Sequence, residues 1–182
     1  MAGLTVSGNS HPILEGDYAS EWMGIEVVAL DDGHATVRMT LRQEMLNGFG
    51  MAHGGMIFAF GDTAFALACN PAKPLPDEES TITVAAGVDI NFLQPAFRGQ
   101  VLTAVANRRA STGRSGLYDI QIYAADPAGA DPGADPGAAA TGAAAPGAAA
   151  PGATLPGQLP TDPSPGELIA EFRGRSRTIS KK

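Results

Sequence analysis

The chain has 182 residues, with 12 basic against 19 acidic side chains, a formal charge of −7, and 44% apolar content. That acidic balance excludes general nucleic-acid binding, which needs a basic footprint, and a single cysteine, Cys69, excludes an internal disulfide and fits a reducing compartment. No apolar run reaches the roughly 18 residues of a membrane span, and the opening MAGLTVSGNSHPILEGDY lacks a basic stretch leading into an apolar one, so a cytoplasmic protein is expected.

Residues 1–16 read as a flexible leader, followed by a short helix in DYASEWMG and then by a single domain over 17–182. Two strands are predicted next, Gly24–Leu30 and His34–Leu41, because β-branched residues dominate the first and apolar and polar residues alternate in the second. Asp31-Asp32-Gly33 between them is a hairpin signal. A glycine-rich loop, NGFGMAHGG, leads into the longest apolar stretch, GGMIFAFGDTAFALAC. Its length and alanine content predict a helix over Gly54–Cys69, apolar on every side and hence buried all round. Pro71, Pro74 and Pro76 end it, and four further strands are predicted at about Ile82–Phe92, Val101–Ala110, Leu117–Ala124 and Glu167–Ile179. Strands wrapped around one central helix make an α+β layer fold.

Between the last two strands, Asp126–Gly166 holds 13 Ala, 8 Gly and 9 Pro among its 41 residues, which is linker composition and is expected to be a disordered insertion. Because it contains four acids and no bases, the remaining 141 residues carry only −3 and suffice for one substantial core.

Asp62 is the only ionisable side chain besides Cys69 in the apolar helix. Burial there raises a carboxyl's pKa and is costly without a partner, so Asp62 reads as a nucleophile or general base, or as a cap for a backbone N–H freed at a kink. His53-Gly54-Gly55 stands at the helix start, where orphan N–H groups carry partial positive charge. The two glycines allow close approach of a ligand, so the turn reads as a donor site for a developing oxyanion or as a plain glycine turn. Gly54 and Asp62 are eight residues apart, about 12 Å along one helix. One carbonyl group cannot readily use both from a single chain. Two helices packed antiparallel would bring them together, which predicts a homodimer with two shared sites.

Arg173, Arg175 and Arg177 share one face of the last strand, and with Lys181 and Lys182 give the C-terminus five cations. This is a phosphate-binding face or simply a solvated one; Arg108, Arg109 and Arg114 around Ser111-Thr112-Gly113 are similar candidates. Cys69 has no basic neighbour and reads as buried and inert. His11, His34 and His53 lack the companions of a metal cage, so no metal site is expected. The chain has no Gly-x-Ser-x-Gly elbow and no P-loop, and Gly48-Phe49-Gly50 lacks the third glycine of a dinucleotide loop.

Taken in one register, MLNGFGMAHGGMIFAFGDTAFALACN, VDINFLQPAFRGQVLTAVA, GRSGLYDI and EFRGRSR resemble the hotdog-fold acyl-CoA thioesterases, in particular the hydroxyphenylacetyl-CoA thioesterases of phenylacetate degradation. The resemblance covers about residues 17–124 and 167–180 and implies an antiparallel sheet around one central helix. It implies hydrolysis of small aromatic acyl-CoA esters without a cofactor, in a homodimer that pairs into a tetramer. It makes Asp62 the carboxylate that attacks the thioester or activates water and Gly54 the donor to the thioester oxygen. Asn47 would help orient the attacking group, and His53 would support the loop. Gly55, Arg114, Arg173 and Arg175 are the candidates for holding the substrate and its CoA phosphates, and Met56, Phe60 and Phe65 for lining its acyl end. Where many relatives place a Ser or Thr, this chain reads Ala85-Ala86-Gly87-Val88-Asp89. The alternatives are an acyl-CoA sensor that has lost hydrolysis, and an enoyl-CoA hydratase, against which Gly61-Asp62 followed by Thr-Ala-Phe argues.

Overall fold

Among the described residues, six strands and two α-helices follow one another along the chain. They are α1 (Tyr18–Met23), β1 (Glu26–Asp31), β2 (His34–Thr40), α2 (Gly54–Cys69), β3 (Thr81–Phe92), β4 (Val101–Thr112), β5 (Ser115–Ala125) and β6 (Glu167–Ser180). The computed structural model describes residues 11–73, 76, 80–127 and 166–181. The strands form one fully antiparallel sheet in the order β1-β2-β4-β5-β6-β3, with α2 laid against it.

The β1–β2 hairpin turns at Asp32-Gly33, where Gly33 takes φ +71 and Arg108 lies so close that a Cβ would strike it. Helix α2 matches its predicted bounds. Its burial does not match: Ile57, Phe60, Gly61, Ala64, Phe65, Leu67 and Ala68 are buried, whereas Met56, Phe58, Ala59, Asp62, Thr63 and Ala66 remain half-exposed. The expectation of burial all round fails because the sheet covers one face only, and the apolar Met56, Phe58, Ala59 and Ala66 on the other face hide that asymmetry in the sequence.

The covered face meets Val37, Leu102, Ala104, Ile120, Ile122 and Phe172, all almost inaccessible to solvent. Phe65 is the centre of an aromatic cluster, 5.2 Å from Tyr118 and 6.2 Å from Phe172 between ring centroids, tilted in the favoured manner. The sheet carries a glycine at Gly174 to admit it, since a Cβ there would come within 2.7 Å of the Phe65 ring.

Residues 1–10 of the expected leader and 128–165 of the expected insertion lie outside the described residues. Residues 11–16 are held against the domain: His11 is buried, and its Nε2 donates to the Asn70 carbonyl at 2.8 Å while its Nδ1 accepts from Ile13 N–H. Ala124 of β5 pairs with Glu167 of β6, so the two strands run together up to the points where the chain departs and returns. Gly166 takes φ +108 there, and a Cβ would run into the Ala124 carbonyl.

Candidate active site

The start of α2 is built from the loop before it. Asn47 accepts the N–H of Phe49 (2.9 Å) and of Met51 (3.3 Å) on its Oδ1, closing the turn with Gly50 at φ +76. The Asn47 Nδ2 group has no acceptor among the described residues. Met51 bridges to Phe97, and Ala52 N–H donates to the Ala96 carbonyl, which fixes the approach to the helix.

His53 is the N-cap. Its extended backbone (φ −67, ψ 129) delivers the chain into the helix, its Nδ1 accepts the Gly55 N–H at 2.9 Å, and its carbonyl accepts from Met56 and Ile57. Of the amides opening α2, therefore, the Gly54 N–H is the one without an acceptor among the described residues. It can present a full hydrogen bond to an incoming oxygen at the positive end of the helix.

Asp62 lies two turns along, on the half-exposed face. It has no hydrogen-bond partner among the described residues, so the reading of Asp62 as a backbone cap finds no acceptance here, and α2 runs through it without a break. Burial holds its carboxyl above the ordinary carboxylate range. Next to it, the Ser20 hydroxyl donates to Asp17, and the single proton of the Thr63 hydroxyl is shared between the Ala59 carbonyl at 3.2 Å and Ser20 Oγ at 3.1 Å. That network fastens α1 to the open face of α2. Cys69, also on α2, has its thiol pushed up to about 12 by burial, which removes it as a nucleophile.

The arginines lie elsewhere. Arg173 and Arg175 point outward on β6, opposite the face whose Phe172 and Gly174 meet α2. Arg173 and Arg109 share Asp119, at 2.8 and 3.2 Å, and Arg175 pairs with Asp89 at 2.7 Å. Arg114 donates to the Thr178 carbonyl beyond the β4–β5 turn. It helps line a cavity of about 670 Å3 at the far end of α2, together with His11, Asn70, Thr83 and Tyr118. The structure thus gathers Asn47, His53, Gly54 and Gly55 at one end of the helix. Asp62 stands midway along it, and the three arginines are spread over the opposite sheet face and the far end. Phe60 and Phe65 are core residues under α2, and Met56 is half-exposed. Among the described residues no cluster of His, Cys, Asp or Glu could hold a metal ion, and no helix is long and apolar enough to cross a membrane.

Two contributors were not singled out from sequence. Asn70 ties the helix end to β3 through the Thr83 N–H and carbonyl, both at 2.9 Å, a role that an Asn directly after a helix could have signalled. Phe92, the last residue of β3, touches Gly54: its Cζ lies 3.2 Å from where a Gly54 Cβ would be. Nothing local in the sequence reports that tertiary contact.

Residues 49–130 match the model of the thioesterase superfamily. The chain is 40% identical over 114 residues to the acyl-coenzyme A thioesterase PaaI of Escherichia coli K12, a match spanning 63% of this chain and 76% of that one. The solved structure of the E. coli PaaI protein, from the phenylacetic acid degradation operon, superposes with a TM-score of 0.64 at 29% identity, over 93% of this chain and 90% of that one. The smu.793 protein of Streptococcus mutans, solved bound to acetyl-CoA, shares the fold at 15% identity with a TM-score of 0.56, over 87% and 90% of the two chains. A carboxylate and a free helix-start amide on a sheet-wrapped helix are thus found in a hotdog-fold thioester hydrolase: the chain belongs to the thioesterase superfamily. Within it, the chain is of the PaaI type.

Proposed function

We propose that this protein hydrolyses small aromatic acyl-CoA thioesters at two sites shared across a homodimer, with Asp62 from one copy and Gly54 from the other. The observation that carries this reading is the pairing of unmet needs on one helix. Among the described residues neither the Gly54 N–H nor the Asp62 carboxyl has a partner, yet some 12 Å of helix separates them. A second α2 running antiparallel beside the half-exposed face supplies each with its complement.

The sheet edge supports the same arrangement. β3 is the last strand in the sheet, paired on one side with β6 and on the other with no strand among the described residues. Asn70 occupies the edge at Thr83, and beyond it the edge from Val84 to Phe92 is a template for another strand; joining there brings the open face of α2 toward its twin. Dimers that further pair into tetramers agree with the PaaI resemblance.

In this site the thioester carbonyl oxygen accepts the Gly54 N–H, and that bond strengthens as the oxygen becomes an oxyanion. Asp62 either adds to the carbonyl carbon, giving an anhydride that water opens, or takes a proton from a water that adds instead. In both routes the C–S bond breaks, the CoA sulfur leaves as thiolate and regains a proton, and the acyl group leaves as the carboxylic acid. His53 keeps Gly55 tied back so that Gly54 alone faces the substrate. Asn47 holds the loop before it and offers its Nδ2 group to the attacking oxygen. Arg173 and Arg175, ion-paired on the sheet face opposite α2, and Arg114 at its far end stand outside this reading.

Thiol release from a panel of acyl-CoA esters tests the reading. Phenylacetyl- and hydroxyphenylacetyl-CoA are expected to release CoA, and saturable binding without thiol would favour an acyl-CoA sensor instead. Multiple turnovers in 18O-water separate the two routes, since label enters Asp62 only if it attacks carbon.

A further inference from the structure

We infer that Phe92 selects the acyl group. This rests on the thioesterase reading above and adds a residue that it does not require. The geometry begins at the free amide. Phe92 directs the tip of its ring at Gly54, with Cζ at 3.2 Å and both Cε atoms at 3.6 Å from the position that a Cβ would take. A carbonyl oxygen within hydrogen-bonding reach of the Gly54 N–H therefore lies beside this ring, and so does the carbon that bears the acyl group.

The ring is held but not covered. Its strand partner is Ala170, and the following N–H groups of Leu93 and Gln94 both donate to the Ile169 carbonyl, at 2.8 and 3.2 Å, which fixes the backbone as β3 ends. Yet Phe92 is 52% exposed, whereas Ile90 one step back on the same face is packed against the core. With its tip against Gly54 and half of its surface open, the ring has a face to offer to a group bound at that amide. A flat aromatic acyl group attached one or two bonds from the bound carbonyl can stack or tilt against such a face, while an acetyl group is too short to use it.

The test compares kcat/KM for phenylacetyl-CoA and acetyl-CoA in the wild type, Phe92→Leu and Phe92→Tyr, with sedimentation and melting followed alongside. Phe92→Leu is expected to lower the phenylacetyl value by about tenfold, chiefly through KM, while leaving acetyl-CoA within about twofold, and Phe92→Tyr to retain the aromatic preference. An unchanged ratio in Phe92→Leu overturns the inference, as does an equal fall for both substrates or loss of the dimer, because each makes Phe92 a structural residue. A wild type that hydrolyses no acyl-CoA at all defeats the thioesterase reading itself, and this inference with it.

Discussion

Asp62 combines three properties that rarely coincide: a carboxyl half-buried on an apolar helix, a pKa raised by burial, and no hydrogen bond among the described residues to offset either. If the ionised form does the chemistry, kcat rises with pH through a value above the ordinary carboxylate range, and the acid limb disappears in Asp62→Asn along with about a thousandfold of the rate. Stability should move the other way. A carboxyl whose folded pKa is raised disfavours folding above that pKa, and the penalty vanishes once both states are protonated. Asp62→Asn is therefore expected to melt higher than the wild type at pH 7 and equally below about pH 3.8, as calorimetry at the two pH values will show. Such a residue is legible in sequence because its surroundings are local: a lone charge in sixteen apolar or small residues. Phe92 is not, because its contact with Gly54 spans 38 positions and depends on where β3 ends.

At the scale of elements, the start of α2 depends on one side chain. His53 caps Gly55 and leaves Gly54 open. Replacing it with alanine removes the cap at a cost of about 1 kcal/mol in urea unfolding, whereas Asn at the same position should restore most of it. The effect on kcat should be larger in alanine than in Asn, because an unrestrained Gly55 loosens the turn that presents the donor. The helix itself was legible to the residue, since a glycine pair and a proline cluster bound an apolar run. The strands were legible in number and order, but β4 and β5 extend to Thr112 and Ser115, past the predicted ends. Cross-strand pairs such as Ser111 with Gly116 carry the ladder through polar residues that show no alternation, after a bulge between Arg108 and Ala110. Pattern alone could not show that, nor that only one face of α2 is covered.

For the whole molecule, the segment 128–165 connects strands already paired from Ala124 and Glu167 inward. Replacing it with a short turn is expected to shift melting by no more than about 5 °C and to leave thioester hydrolysis intact, because loop-closure entropy changes only with the logarithm of length. The sequence placed this segment by composition and also pointed to a second copy through the Gly54–Asp62 spacing. It could not place the arginines: their alternation along β6 was plain, but which face of the sheet they take depends on the packing of Phe172 and Gly174 against Phe65.

Complementation between two inactive variants tests the shared site most directly. Gly54→Pro deletes the N–H at the first helical position, where proline's backbone suits the helix and His53 already has the extended backbone that must precede it. The half-exposed Phe92 ring has to shift to admit the pyrrolidine, so melting and sedimentation of this variant are followed alongside. Asp62→Asn removes the carboxylate. Neither variant alone should hydrolyse a thioester. Unfolded and refolded together in equal amounts, half the dimers are mixed and each holds one intact site, so activity should return to about a quarter of the wild-type value. A mixture as inactive as its parents, in dimers shown to exchange, would contradict the account.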